Sequence, residues 1–404
     1  MTSAASDDLI IIRGRGRVSA LGESLLMAEA AESPFQSRRL GPHTLAVGSL
    51  PAAAETALTD LRRNYAPYRQ LDRTVLLAVL AARQATAQAG WLPQDSAALG
   101  VSIGSSRGAT GRLEQFHAGF LADGTVAAAA SPLTTLGNVA SWVAYDAGTT
   151  GGAALSHSST CSSAFQALGN AVAWLRAGMA GRFLAGGTEA PLTDFTLAQM
   201  QALGIYSPFA PADFPCRPGA GKPSTFVLGE GAAMFALEKI SRQALAQEQA
   251  AHPTAAPVFC LEGVGFGFEA IGSKTGLSAD GQHFQMAMRA ALRMAGGTIA
   301  DVDALVLHSP GTPAGDAAER QAIQAVFGHK QPDLVSNKWL LGHTLGASAA
   351  LSLDFACQLL TTQRWPTAPF ATDLAVAPSR PIRRVLVNAA GFGGNAASVL
   401  VSVG

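Results

Sequence analysis

One cysteine stands where a strand is predicted to turn sharply into a helix. Cys161 follows the apolar segment 153–155 and a short polar turn, and a helical stretch with one apolar face begins at or just after it. A thiol at a helix N-terminus lies at the positive end of the dipole, which lowers its pKa, and the free backbone N–H groups there can hold an oxyanion. This position is equally compatible with a nucleophile and with a buried core cysteine. The core role is the one predicted for the other cysteines, Cys216, Cys260 and Cys357.

Two histidines occupy similar junctions in the second half of the chain. His308 ends a predicted strand at 304–307, and α/β proteins place ligands at the carboxyl ends of strands. His343 lies just before or within the start of a helix, which favours a neutral imidazole that can donate a hydrogen bond. Lys338, five residues earlier, could point into the same site. Either histidine alone could be structural, but a thiol with two such histidines matches a nucleophile with groups that polarise a thioester carbonyl and steady an enolate.

The remaining histidines lack such a setting. We predict surface or loop positions for His43, His117, His252 and His329, and a structural role is favoured for His157 and His283.

Short apolar strands alternate with Ala-rich helices, which predicts an α/β fold. The first strand, 9–12, should be followed by a glycine turn at 14–16, and a helix at 316–327 should begin with Asp316 and Glu319 as a capping pair. The segment 247–257 is the predicted linker, because it contains two prolines and no periodicity. Other predicted elements are strands at 99–103, 334–335, 385–387 and 398–401, a strand–turn–strand at 226–237, and helices at 71–89 and 344–360.

Two similar halves are predicted, since each ends in a strand, a glycine-rich turn and a strand. Residues 1–248 would form the half that carries the nucleophile, and residues 258–404 the half that carries both histidines.

Composition narrows the class of protein. Of the 404 residues, 14% are charged and 48% hydrophobic, so we expect an obligate oligomer that hides apolar surface. Lys+Arg and Asp+Glu number 28 each, which gives no whole-chain reason to expect nucleic acid or an anionic membrane as partner. The scattered cysteines indicate neither a disulfide framework nor a metal site. No apolar run predicts a membrane span, and residues 1–8 do not read as a signal peptide, so the cytoplasm is expected.

The order of the motifs resembles that of the β-ketoacyl-acyl-carrier-protein synthases, a thiolase-superfamily family, in their elongating Cys-His-His class. The resemblance covers nearly the whole chain. It rests on segments that occur in the family order: 160–164 around Cys161, 176–178 and 185–189, 216–218, 227–233, 308–319, Lys338 with 342–343, and Asn388 with 391–394.

The resemblance implies a five-layered αβαβα thiolase fold that dimerises through the strand preceding the nucleophile. Cys161 would take an acyl group from a carrier thioester, and a malonyl extender on acyl carrier protein would lose CO2 while His308 and His343 stabilise the enolate. The N–H groups of Cys161 and Phe392 would form the oxyanion hole, and Phe392 would also gate the acyl pocket. Lys338 would order the site around His343.

The resemblance also implies how substrates bind. Thr312 would hold the phosphopantetheine arm of acyl carrier protein. Because the substrates are carried on that arm, no separate cofactor is expected, and no metal is expected either. Arg62, Arg63 and Arg69 lie where family members often present a basic patch to the acidic carrier protein, although a solvated helix or loop face is equally open.

Several positions depart from the family pattern. Ser309 and Pro310 replace the usual Gly and Thr. Ser352 replaces the usual Glu, so Lys338 loses its expected counter-charge unless Asp354 supplies it. The turn also runs from Gly394 straight into residue 395 without the usual Thr, and 219–225 lacks the usual acidic and basic pair. These departures favour a specialised pathway, such as a polyketide, aryl polyene, pigment or specialised fatty-acid route.

Other functions remain open at this point. The same cysteine could pass an acyl group to a non-malonyl acceptor, or the chain could be the chain-length-factor-like partner in a ketosynthase heterodimer. The partner subunit is disfavoured because such partners lack the nucleophile. Thiolase is disfavoured because no second cysteine lies in the glycine turn, and a starter-type synthase because His343 stands where Asn is usual.

Overall fold

The structure, a computed structural model, describes residues 8–22, 32–91, 98–252, 256–270, 272 and 277–404. Its strands are β1 (Asp8–Ser19), β2 (Gln36–Leu40), β3 (His43–Val47), β4 (Leu99–Gly104), β5 (Ala154–His157), β6 (Arg182–Glu189), β7 (Gly231–Ser241), β8 (Phe259–Phe268), β9 (Ala304–Val306), β10 (Asp333–Val335), β11 (Arg384–Gly391) and β12 (Asn395–Val403). Its helices are α1 (Ala52–Asn64), α2 (Arg73–Gln88), α3 (Thr110–Asp123), α4 (Ala130–Thr134), α5 (Asn138–Asp146), α6 (Ser163–Arg176), α7 (Asp194–Ala202), α8 (Arg242–Ala251), α9 (Gln282–Ala295), α10 (Pro313–Phe327), α11 (Lys338–Leu341) and α12 (Ser348–Thr362). The α/β prediction is confirmed.

Two sets of five strands have the same topology. In spatial order the N-terminal set is β1-β7-β6-β4-β5 and the C-terminal set is β8-β12-β11-β9-β10. In both, the first three strands of the order pair antiparallel and the last three pair parallel. The sets meet where β1 pairs with β8 through Ile11–Cys260 and Ile12–Phe259. The duplication predicted from the sequence is therefore present in the strand order.

Helices form three layers around the two sets of strands, so that the chain has five layers in all. α6 and α12 contact strands of both sets and form the middle layer, while α2 and α5 cover the N-terminal set and α9, with α10 beside it, covers the C-terminal set. Every residue of α12 from Ser348 to Leu360 is buried, because this mostly apolar helix packs between the two sets of strands. This is the five-layered thiolase fold, and its middle layer brings the two halves of the chain together.

The glycine turn predicted at 14–16 is wrong. Gly14 and Gly16 lie inside β1, where they face α2. A Cβ atom on either glycine would overlap the backbone oxygen of Ala85 or Ala81 in that helix. These glycines let strand and helix approach closely; they do not bend the chain.

Other boundaries also differ from the predictions. α8 continues to Ala251, so the first part of the predicted linker 247–257 is helical. Phe226 and Leu228 form only isolated bridges, with Tyr206 and His343, before β7 begins at Gly231. The division into residues 1–248 and 258–404 stays a prediction. None of the helices in the described ranges is long and apolar enough to cross a membrane.

Candidate active site

Cys161 sits in a strained turn between β5 and α6. Thr160, just before it, has a φ of 50°, in the left-handed region that is unfavourable for a branched side chain. The turn is pinned by Ser163, whose Oγ accepts from the N–H of Ser159 at 2.9 Å and donates to the Thr160 carbonyl at 2.5 Å. Strain that the surrounding hydrogen bonds maintain is typical of functional turns. The sharp strand-to-helix turn predicted for Cys161 is confirmed, with the helix starting at Ser163.

The predicted lowering of the Cys161 pKa is wrong in direction. Burial, together with the nearby Glu189 carboxylate, raises the pKa of the thiol to about 12, although Lys338 and Arg107 act in the opposite sense. The thiolate loses more by leaving water than it gains from the positive groups. The resting nucleophile is therefore a thiol, and its proton must leave as the acyl group arrives.

The glycine turn between β11 and β12 packs directly against the cysteine turn. A Cβ on Gly391 would stand 2.9 Å from the Cys161 nitrogen and would overlap the Thr160 side chain. In the described part of the chain, neither the N–H of Cys161 nor that of Phe392 donates to a protein acceptor. Two free donors on adjoining turns meet the chemical requirement for an oxyanion hole.

His343 is buried, and its tautomer follows from its contacts. Its Nδ1 accepts the N–H of Leu345 at 3.1 Å, so the proton of the neutral ring resides on Nε2. Burial and the neighbouring Lys338 lower the pKa of His343 to about 3. The ring is thus a neutral donor at physiological pH, as the sequence predicted, although it precedes a single 3-10 turn at 345–347 and not the main helix.

His308 follows β9 and meets His343 edge to face, with ring centroids 5.2 Å apart. Burial, then the proximity of His343 and Lys338, holds the pKa of His308 well below its usual range. Within the described residues, neither of its ring nitrogens has a protein partner. Both imidazoles are therefore neutral and available to a ligand.

Glu319 fixes the backbone that carries His308. It is wholly buried on α10, and its two oxygens accept the N–H groups of His308 at 2.9 Å and Ser309 at 2.8 Å. Asn388 of β11 donates to the same carboxylate at 3.1 Å. The predicted capping role of Glu319 is wrong, and so is that of Asp316, whose buried carboxylate accepts the N–H groups of Gly219 and Gly311.

Lys338 lies behind the histidines and does not line the cavity. Its Nζ donates to Ser352 Oγ at 2.9 Å and to Asn337 Oδ1 at 3.1 Å, so both side-chain partners given by the described residues are neutral. Asp354 pairs with Arg15 and Arg17 instead, which excludes it as the replacement counter-charge. Burial lowers the pKa of Lys338 to about 8.

A cavity of about 260 Å³ joins the predicted site residues. Cys161, His308, His343, Thr312 and Phe392 all line it, and Phe392 is 43% exposed. The apolar part of its wall includes Met200, Leu203, Ile205, Phe226, Leu277 and Phe284. An apolar pocket that ends at a thiol and two neutral imidazoles suits an acyl thioester.

The three predicted arginines lie outside this cavity. Arg62 and Arg63 are in the last turn of α1, and Arg69 follows the next 3-10 turn; all three are exposed. Arg112 of α3, which the sequence reading missed, donates to the Arg69 carbonyl at 3.5 Å. We call Arg62, Arg63, Arg69 and Arg112 the basic patch.

Glu189 at the end of β6 is a buried carboxylate whose role the sequence did not predict. Its buried carboxylate accepts from Ser105 Oγ, from the N–H groups of Ser106 and Arg107, and from the N–H of Gly346. It thereby ties the loop after β4 to the loop that carries His343. Burial raises the pKa of Glu189 to about 7. A local sequence pattern could not reveal this role, because one of the donors, Gly346, is 157 residues away.

The other histidines and cysteines match their predictions. His43, His117, His252 and His329 are exposed, and the three remaining cysteines are buried. His157 approaches Ser102 Oγ at 3.1 Å, and His283 pairs with Glu269 at 3.2 Å. No cluster of three or more metal-ligating side chains is found in the ranges that the structure describes.

Known protein families give an independent view of this site. Residues 16–243 match the family model described as "Beta-ketoacyl synthase, N-terminal domain", and residues 259–370 match "Beta-ketoacyl synthase, C-terminal domain". The chain belongs to the β-ketoacyl synthase family. These two matches cover both Cys161 and the two histidines of the cavity.

Two curated relatives of this β-ketoacyl synthase cover most of the chain. "Nodulation protein E" of Rhizobium meliloti (strain 1021) is 30% identical over 96% of this chain and 97% of its own length. The "3-oxoacyl-[acyl-carrier-protein] synthase 2" of Staphylococcus aureus (strain N315) is 30% identical over 81% of each.

Solved structures confirm the thiolase fold of the family member described here. A β-ketoacyl synthase from Burkholderia phymatum STM815 is 25% identical, with a TM-score of 0.81 over 98% of this chain and 100% of that one. A ketosynthase in complex with its chain length factor, from Xenorhabdus doucetiae, is 23% identical, with a TM-score of 0.78 over 100% of both chains.

Proposed function

We propose that this chain is a β-ketoacyl-acyl-carrier-protein synthase that condenses an acyl thioester with malonyl carrier by decarboxylative Claisen chemistry. The observation that carries the proposal is an apolar cavity lined by Cys161, His308 and His343, beside the free N–H groups of Cys161 and Phe392. The family membership supports an enzyme that catalyses condensation. Transfer of the acyl group and its catalytic residues are part of the proposal.

In the first half-reaction, Cys161 sulfur attacks the carbonyl carbon of the acyl carrier. The thiol proton leaves as the carbon–sulfur bond forms, and the carrier departs as its free thiol. The N–H groups of Cys161 and Phe392 stabilise the oxyanion, a contribution of about 3–4 kcal/mol per donor where such holes have been tested. Coupling the proton transfer to the attack is required because the resting thiol has a pKa of about 12.

In the second half-reaction, the malonyl thioester oxygen lies between the two imidazoles. His343 donates from Nε2, and His308 completes the polar end of the cavity. The carbon–carbon bond to the carboxylate breaks, CO2 leaves, and the electron pair becomes the enolate that the neutral donors stabilise. The enolate carbon then bonds to the acyl carbon on Cys161, the carbon–sulfur bond breaks, and the thiolate regains a proton.

Carrier protein and a second ketosynthase subunit are the proposed partners. The basic patch offers positive charge to an acidic carrier protein, and Thr312 lines the cavity where the phosphopantetheine arm would enter. β5 is an edge strand of the sheet, and Tyr145 on the adjoining α5 is 61% exposed. An unpaired edge beside exposed apolar surface supports a homodimer or heterodimer formed through β5. The departures at Ser309, Pro310 and Ser352 favour a specialised polyketide, aryl polyene or fatty-acid pathway.

The test uses purified protein, a panel of acyl carriers and malonyl carrier, with intact mass and product followed together. We expect an acyl adduct on the wild type that is absent from Cys161→Ala, and a β-ketoacyl carrier only when malonyl carrier is present. His308→Ala should acylate but not condense. Cys216→Ala is the matched control, since that buried thiol does not line the cavity.

Two other results would redirect the proposal. An adduct without condensation, under conditions in which an established synthase works, would support transfer of the acyl group to another acceptor. The absence of an adduct with every donor would support a partner subunit, and the search would move to its heterodimer mate.

A further inference from the structure

Ser309, the residue after His308, is buried and joins two charged side chains. Its hydroxyl donates to Glu319 Oε2 at 2.7 Å and accepts from Arg320 Nη1 at 2.6 Å. The same Glu319 carboxylate accepts the backbone N–H of His308. One hydroxyl thus links a guanidinium to the carboxylate that fixes the imidazole-bearing turn.

Arg320 is held in turn by a carboxylate at the surface. Its Nε lies 2.6 Å from Asp373 Oδ2, and its Nη2 lies 2.7 Å from Oδ1, a bidentate pair with fixed geometry. The Arg320 side chain is 18% exposed, whereas that of Asp373 is 45% exposed. The contacts therefore run without interruption from solvent to the backbone of His308.

We infer that this relay, formed by Ser309, Arg320 and Asp373, positions the His308 imidazole for decarboxylation. Glu319 is buried, and a buried carboxylate needs donors and a compensating charge; the relay supplies a hydroxyl and a guanidinium whose Nη1 lies 3.9 Å from Oε2. Without these two groups the carboxylate is less stable in its buried position, and it is expected to rotate away from the N–H groups of the His308 turn. The inference rests on the proposed function and deepens it, because it assigns positioning residues to one of the two half-reactions.

The test compares Ser309→Gly, Arg320→Gln and Arg320→Lys with wild type. A matched control is Arg13→Gln, because Arg13 makes a similar two-carboxylate contact with Glu238 and Glu248 and is 21% exposed, remote from the cavity. Three quantities are measured: acylation of the cysteine, CO2 release from malonyl carrier, and hydrogen exchange in a peptide that covers 304–316.

A displaced catalytic group lowers the rate by roughly tenfold to a hundredfold, so we expect that loss in CO2 release for the glycine and glutamine variants. Acylation should change by less than about twofold, since the turn of Cys161 is untouched. Exchange of the N–H groups of His308 and Ser309 should accelerate. The lysine variant should recover part of the loss, because it keeps the charge but not the fork.

Each contrary outcome is distinct. If wild type condenses while all variants release CO2 and exchange like the control, the relay has no positioning role and the proposed function stands. Equal losses in both half-reactions, with a matching loss of thermal stability, would reduce the relay to a structural contact. If wild type itself forms no product, the proposed function fails, and unchanged exchange in the variants would then overturn the relay independently.

Discussion

Replacing Lys338 with Met removes a buried ammonium that forms no ion pair with any of the described residues. Its hydrogen-bond partners are Ser352 and Asn337, neither of which carries charge. We therefore expect the Lys338→Met variant to be more stable than wild type at neutral pH while it loses decarboxylation activity. Activity and stability would then oppose each other at this residue.

The size of the stability difference follows from the pKa of Lys338. Its fall from 10.5 to about 8 corresponds, at about 1.36 kcal/mol per unit, to roughly 3 kcal/mol of lost stability when the side chain is protonated. Below pH 8 the lysine is charged in both the folded and the unfolded chain, so the full cost applies. Between pH 8 and pH 10.5 the unfolded chain still binds the proton and the folded chain does not, so stability rises with pH. The two hydrogen bonds lost with the lysine offset about 1 kcal/mol each, independently of pH over this range.

The assay is urea unfolding of both proteins at pH 7 and pH 10, at equal protein concentration. From pH 7 to pH 10, the free energy of unfolding of wild type should rise by roughly 2.5 kcal/mol relative to that of Lys338→Met. Lys330→Met, at an exposed lysine, should show no such pH-dependent difference. A difference between wild type and Lys338→Met that is the same at both pH values would show that the ammonium is not desolvated in the fold.

Three further predictions address the nucleophile, the glycine turn and the basic patch. Because the pKa of Cys161 is about 12, its alkylation by iodoacetamide should rise about tenfold per pH unit from pH 7 to pH 10; a plateau near pH 7 by intact mass would contradict this. Gly391→Ala should reduce acylation by roughly a hundredfold, through displacement of the oxyanion donors, whereas Gly181→Ala, with open space around its Cβ, should react normally. Changing the arginines of the basic patch to Gln should raise the KM for acyl carrier and weaken its salt dependence without altering kcat; an unchanged KM would leave the patch as a solvated face.

Local pattern was enough to predict the nucleophile turn. The helix after Cys161 shows its buried face in the spacing of Phe165, Leu168, Val172 and Leu175, all of which are buried. A helix of this kind leaves a periodic signal because one face packs on the sheet. The strand that precedes His308 was equally visible as a short apolar run.

Long-range contacts could not be predicted in the same way. Glu319 looks like a capping residue because it lies three positions after Asp316, yet its partners include Asn388 on another element. Gly14 and Gly16 were predicted to form a turn because the sequence does not distinguish a glycine needed for close packing from one needed for its backbone freedom. The pKa of Cys161 depends on burial and on Glu189, which are properties of the assembled fold.

The short seam between β1 and β8 makes the chemistry sensitive to alignment. The thiol belongs to one set of five strands and both imidazoles to the other. Among the residues that the structure describes, the strands of the two sets pair at two positions, Ile11–Cys260 and Ile12–Phe259. The smallest slip that keeps each side chain on its own face is two residues, or about 7 Å. Such a slip would separate the nucleophile from its partners. Acylation followed by condensation therefore shows that the two sets of strands have paired in a single register.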